Sequence, residues 1–253
     1  MLDRTAIDAL ATHDDISAMG FSNANLTDEA IALLGFQRTK TIGIASRKAW
    51  MAGDRGPLLS EAHKRRDEIF ESALLEAYCE YLPVKQYLDT TEFKPKSVID
   101  IGCGQAIPAL FLQRDFKPRF TLVDIEQTDD QYHAWADSGS GYASLADAEA
   151  LLHDNGAART KVKTINPRQK PDMLVGAKAD MLTSFYSCGF HYPVDEYSDL
   201  MTQIVKDGGL ILLDLRKHYF KRRPDALNDI LKVGEMTVIF EDIRSKRVVI
   251  SGR

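Results

Sequence analysis

Serine, tyrosine, cysteine and histidine crowd into one stretch, DMLTSFYSCGFHYPVDEYSDLM, from Asp180 to Met201. Imidazole titrates near neutral pH, so His191 has the chemistry to take a proton from a hydroxyl. Ser187 and Tyr186 are placed to line the same pocket, and Gly189 allows a tight bend between them and His191. A second charged group follows the apolar run ILLDL, in ILLDLRKHYF. There Asp214 and Arg216 either pair with each other or hold a polar or anionic partner, and Lys217 comes next. Each has a competing structural reading: His191 packs on Pro193 or caps a helix, and Arg216 joins a surface ion pair.

A second constellation lies upstream, in SVIDIGCGQAIPALFL. Val98, Ile99 and Ile101 make a short buried strand, and Gly102 and Gly104 allow positive φ and close approach of a ligand to the backbone. Pro108 is tolerated only in a first helical turn, which predicts a helix from about Ile107. The electropositive end of that helix would face a ligand. The next apolar run, FTLVDIE, ends at Asp124, 22 positions after Gly102. A carboxylate at the end of a second strand suits the two hydroxyls of a ribose. Alternation predicts that Glu126 points the same way and shares that task. A dinucleotide turn wants a third glycine or alanine where this chain has Ile107, and no phosphate-loop pattern occurs. Asp100 before the first glycine repels phosphate and attracts an amine or sulfonium.

VIDIGCG, LVDIE and a closing β-hairpin resemble the class I S-adenosylmethionine-dependent methyltransferases over about residues 96–253. The resemblance implies a cofactor, S-adenosyl-L-methionine, held by Asp100, Gly102, Gly104, Asp124 and Ile125, with Asn166 near the adenine. SFYSCGFHYP is similar to a loop in a subgroup described as small-molecule or sugar O-methyltransferases. On that footing His191 is the expected base, with Arg216 and Ser187 beside it and no metal required. The Asn-Pro-Pro-Tyr type of motif used in adenine methylation is missing.

Elements that would position these residues are legible. Apolar runs SVIDI, RFTLVDI, KVKTI, DMLTSF and LILLDL alternate with helix signals, which predicts an α/β fold with a parallel sheet covered on both faces. TVIF and RVVISG around EDIRSK predict a terminal hairpin. With the resemblance, the expected fold is a Rossmann-like seven-stranded methyltransferase sheet ending in that hairpin. Ser144 and Gly156 bracket one helix, and Pro193 and Gly208 another. Residues 1–95 read as a helical cap or lid, separate from a methyltransferase domain over 96–253. Within the cap, Thr27 caps a helix that stops at Gly35, and RKAWMAGDRGPLL reads as a loop. The clearest helix runs from Glu61 to Leu82, with Ser60 as N-cap and Pro83 as its end. The insertion QTDDQYHAWADSGSGYA, with Tyr132, Trp135 and Tyr142, is expected to fold over the ligand or to stay solvated.

The chain has 253 residues, 44% hydrophobic and 27% charged, with a net charge of −5. That is a globular composition, and its acidity argues against a dedicated nucleic-acid binder. Three widely spaced cysteines give no disulfide or zinc pattern. His13, His63, His133, His153 and His218 lack metal-site spacing. No leader or membrane segment is evident, so a soluble, cytoplasmic enzyme is expected. Its expected activity is methylation of a hydroxyl on a small polar molecule, such as a sugar. The rival readings are an RNA or protein methyltransferase, a non-catalytic binding subunit, and an oxidoreductase that Ile107 disfavours. The acceptor and the oligomeric state, a homodimer included, stay open.

Overall fold

The computed structural model describes residues 11–38, 41–126 and 143–252. The aromatics of the insertion, Tyr132, Trp135 and Tyr142, fall outside the described residues, as does His133. Five helices come first: α1 (His13–Met19), α2 (Asp28–Arg38), α3 (Ile44–Met51), α4 (Gly56–Lys64) and α5 (Arg66–Thr90). Then follow β1 (Ser97–Ile101), α6 (Ile107–Phe116), β2 (Arg119–Val123), α7 (Leu145–Asp154), β3 (Val162–Ile165) and β4 (Met181–Ser184). The chain continues as α8 (Ser198–Lys206), β5 (Leu210–Arg216), α9 (Lys217–Arg222), α10 (Asn228–Leu231), β6 (Gly234–Glu241) and β7 (Ser245–Gly252).

All five apolar runs are strands of one sheet, in the order β3-β2-β1-β4-β5-β7-β6. β1 to β5 are parallel, and β7 inserts antiparallel between β5 and β6. Alternation along β5 divides the core. Leu210 and Leu212 face the cluster that holds α1 to α7, whereas Ile211, Leu213 and Leu215 face the cluster built with α8, α9 and α10. The N-terminal helices thus share one apolar core with β1, β2, β4 and α6.

Several boundaries differ from expectation. Thr27 does cap α2, accepting from the Ala30 N–H at 3.1 Å. The helix nevertheless runs past Gly35, which serves close packing: a Cβ there would sit 2.6 Å from Ile42 Cγ2. Most of RKAWMAGDRGPLL is helical, in α3 and α4, and only Ala52–Arg55 connects them. The long helix is broken at Arg65, whose guanidinium binds Glu61, Glu68 and the Thr41 carbonyl, so Ser60 lies inside α4 rather than capping. Pro83 sits within α5, buried, and the helix continues to Thr90. Ser144 caps α7 as expected, accepting from Ala146 and Asp147. Pro193 lies ahead of a short 3-10 turn, and α8 starts only at Ser198.

Candidate active site

Strand order dictates where a ligand can sit. The chain winds from β1 outward through β2 and β3, then crosses to β4 on the other side of β1. This reversal marks the carboxyl ends of β1 and β4, the usual ligand position in such sheets. The loops after those two strands are the glycine turn and the SFYSCGFHYP segment, which therefore meet.

The glycine turn has the predicted geometry. Gly102 and Gly104 have φ of 67° and 55°, and Ala106 is also left-handed at 58°. α6 begins at Ile107 with Pro108 in its first turn. A Cβ on Gly104 would meet open space, but one on Gly102 would lie 1.7 Å from Ser187 Oγ and 3.5 Å from the Tyr192 hydroxyl. Ser187 thus rests directly on the turn, and its hydroxyl donates to Tyr192 at 3.3 Å.

Asp100 is buried beneath the turn and accepts from the Thr183 hydroxyl at 2.7 Å. Burial pushes its carboxyl up to about 7, against the help of Thr183 and with Asp124 adding to the rise. Asp124 accepts from the Gly104 and Ile125 N–H groups, each at 2.8 Å. Burial carries it up to about 6. A carboxylate has about four acceptor positions, so two backbone bonds leave capacity for a diol. Asn166 donates to the Ile125 carbonyl and to Glu126, at 3.2 and 3.0 Å, and so braces the segment behind Asp124. Glu126 does not point the same way as Asp124. β2 ends at Val123, alternation stops there, and at φ 57° the Glu126 carboxylate turns toward Leu145 and Asn166.

These residues fit S-adenosylmethionine. There is open space over Gly104, an acid for a cationic group, and an acid oriented by the turn at the end of β2.

The second loop is set by β4 and β5. The His191 N–H donates to the Ser187 carbonyl at 2.8 Å, and the Arg216 N–H donates to the Gly189 carbonyl at 2.9 Å. Phe190 is the hub. Its ring lies 4.9 Å from His191 and 5.1 Å from Tyr186, both edge-on, with the Arg216 guanidinium 5.6 Å above it. His191, Tyr186 and Arg216 are therefore gathered round one ring, while Ser187 connects that cluster to Gly102.

Asp214 does not pair with Arg216. Its partner is Arg247, directly opposite on β7, which binds both carboxylate oxygens at 2.8 and 2.7 Å. Arg247 is wholly buried, lies 4.9 Å over Phe185, and also donates to the Glu80 carbonyl of α5. Asp214 in turn accepts from the Tyr186 N–H at 3.1 Å and so holds that residue at φ 48°. Arg38 completes the link to the N-terminal helices by pairing with Glu80 at 2.6 Å. On the other side Gln105 in the glycine turn donates to the Ala30 carbonyl of α2 at 2.6 Å.

Sequence reasoning missed Thr183, Tyr192, Gln105 and Arg247. Tyr192 adjoins the expected base, and Arg247 directly precedes the apolar run Val248–Ile250. Both were visible signals. Among the described residues no cluster of three or more His, Cys, Asp or Glu side chains is arranged for a metal, and no helix is long and apolar enough to cross a membrane.

No family model matches the chain. It is 28% identical over 128 residues to a ribosomal protein L11 methyltransferase of Shewanella halifaxensis. That match takes in 51% of this chain and 36% of the relative, so the chain spans about a third of that relative's length. Among solved structures it is similar to a ribosomal protein L11 methylase from Lactobacillus delbrueckii subsp. bulgaricus, with 16% identity, 68% of this chain and 77% of that one covered, and a TM-score of 0.45. It is also similar to a precorrin-6y C5,15-methyltransferase from Geobacter metallireducens, with 15% identity, coverages of 63% and 81%, and a TM-score of 0.44. Aeropyrum pernix fibrillarin, solved with natively bound S-adenosyl-L-methionine, shows 13% identity, coverages of 62% and 66%, and a TM-score of 0.42. With seven strands, β1 to β5 parallel and β6 and β7 an antiparallel pair at the end of the chain, the sheet is the α/β fold expected from VIDIGCG and LVDIE.

Proposed function

We propose that this protein is an S-adenosylmethionine-dependent methyltransferase acting on a hydroxyl of a small polar molecule, a sugar or similar metabolite. The observation that carries the reading is the meeting of two loops at the switch point, with Ser187 seated on Gly102. Bound at the glycine turn, S-adenosylmethionine supplies a methyl group on a sulfonium. Asp100 offers a carboxylate to the cationic end, Asp124 accepts from the ribose hydroxyls, and Ile125 and Asn166 shape the adenine side. His191 takes the acceptor proton, Ser187 orients the acceptor over the turn, and Arg216 holds its far side. The helices of residues 11–95 act as a cover, joined to the turn through Gln105 and to the second loop through Glu80. Excluding water there strengthens each of these electrostatic contacts.

The first test is calorimetry with S-adenosylhomocysteine, and absence of binding refutes the reading. The second is formation of S-adenosylhomocysteine with a panel of polyols and sugars. His191→Ala is expected to lower turnover by about 10²–10⁴-fold, the usual contribution of a general base. Turnover near wild type would remove His191 from that role. A protein acceptor is the second reading, favoured by the sequence similarity to a ribosomal protein L11 methyltransferase. Methylation of that protein with no turnover of small hydroxyl compounds would select it.

A further inference from the structure

We propose that the acceptor carries an anionic group, a phosphate or a carboxylate, and that Arg216 binds it. The inference rests on the methyltransferase reading and narrows its substrate class.

Among the described residues Arg216 forms no ion pair with an acid. The acid two positions before it, Asp214, is taken by Arg247. The acids of the neighbouring hairpin are taken as well: Glu241 pairs with Lys217 and Lys246, and Asp242 accepts from the backbone of Arg244 and Ser245. Arg216 Nη1 is buried and has no hydrogen-bond partner among the described residues. Burying a guanidinium N–H without an acceptor is costly, so a ligand oxygen there would gain more than one at an exposed lysine.

Position and rigidity point the same way. The guanidinium lies over Phe190, and the same ring touches His191. An anion on Arg216 is thus one ring's width from the expected base. The strand end is tied to Gly189 by its own N–H, which fixes the root of the side chain. A planar fork held in this way matches a carboxylate or phosphate with two parallel bonds. The surroundings also select for negative charge. The whole chain is at −5, yet residues 216–223 hold five cations; Lys217 pairs with Glu241 and Arg223 with Asp195 and Asp225, while Arg216, Lys221 and Arg222 form no ion pair among the described residues. Lys221 and Arg222 are exposed and would draw an anion toward the strand end. A nucleic-acid backbone would need the exposed cations alone. The buried Nη1 favours a small acceptor that reaches the end of β5.

The test uses the full chain loaded with S-adenosylhomocysteine. Its melting temperature is followed against sodium phosphate, sodium acetate and sodium chloride at equal ionic strength. Phosphate or acetate is expected to protect in a saturable way, and the one that protects identifies the group. Arg216→Gln is expected to weaken that protection roughly tenfold or more, with Arg216→Lys in between. Arg216→Met, which keeps packing on Phe190, serves if Arg216→Gln folds poorly. S-adenosylhomocysteine affinity should be equal in all variants, which shows that each is folded. Equal protection of wild type and variants, or equal protection by chloride, overturns the proposal. So does tight RNA binding that Arg216→Gln leaves unchanged. Failure of the wild type to bind S-adenosylhomocysteine instead refutes the methyltransferase reading beneath it.

Discussion

Removing Arg247 should be among the most damaging single changes in this protein. Its side chain is wholly buried and bonds both oxygens of Asp214, itself 1% exposed. In Arg247→Met the volume is largely kept but Asp214 loses its counter-charge. Breaking a buried pair from one side costs about 3–5 kcal/mol. At a urea slope of about 3 kcal/mol/M, a loss near 4 kcal/mol lowers the unfolding midpoint by about 1.3 M. The loss should depend on pH. Burial already raises the Asp214 carboxyl above its ordinary value, with Arg247 opposing that rise. Without Arg247 the rise is larger. A carboxyl whose folded value is raised supports the fold when protonated, at low pH, and that support is lost as pH rises through its folded value. The difference from wild type should therefore be smallest near pH 4 and grow toward pH 8. Asp214→Leu in the same chain removes the stranded charge and should recover most of the loss. A remainder of about 1–3 kcal/mol is expected, because the Tyr186 N–H and the Glu80 carbonyl each lose a partner. Urea titrations of the three proteins at pH 4 to 8 decide the matter. A loss under about 1 kcal/mol, or a double variant no better than the single, would refute the assignment of this pair as a buried, charge-balanced brace.

Gly102→Ala should abolish S-adenosylhomocysteine binding, since its Cβ would fall 1.7 Å from Ser187 Oγ at a left-handed φ. Adding Ser187→Gly relieves the clash but not the backbone strain of about 1–2 kcal/mol, so calorimetry should show partial recovery; full retention in the single variant would count against the close approach. Affinity for S-adenosylmethionine should strengthen from pH 6 to 8 as Asp100, near 7, and Asp124, near 6, ionise. Asp100→Asn should flatten that profile, and an unchanged profile would exclude Asp100 as the cationic group's partner. Both raised carboxyls also make the ligand-free fold lose stability as pH rises between about 4 and 7, readable as a falling melting temperature. Gly35→Ala should cost about 1–3 kcal/mol in chemical unfolding, because Ile42 must yield to the new methyl; a neutral result would mean that α2 shifts freely.

The parallel strands were legible because each is a short run between turn residues, and β1, β4 and β5 are buried on both faces. The glycine turn was legible to the residue, down to the helix start at Ile107, because proline and paired glycines restrict the backbone locally. What sequence could not show depends on partners distant along the chain. Pro83 is normally a terminator, but the apolar face of α5 is buried on both sides of it and carries the helix through. Gly35 is a terminator on propensity alone, yet here Ile42 and Ile69 use the missing side chain. Asp214 and Arg216 share one side of β5, which suggested a pair; the register of β7, set by the hairpin, supplied Arg247 instead. The same register left Arg216 available.

The insertion of β7 between β5 and β6 also has a consequence for how the chain folds. β5 is buried along Leu210–Leu215 and can pair with β4 as soon as both exist. Its other edge stays unpaired until the β6–β7 hairpin has formed and docked against it. Until then an apolar strand presents a row of open amides, the situation most prone to intermolecular pairing. Arg247 rides in on that hairpin, so the brace behind Tyr186 closes only at this step. Docking of the hairpin should therefore be the late event in refolding, and protection of the Tyr186 amide from hydrogen exchange should appear together with that of β7 rather than with β4.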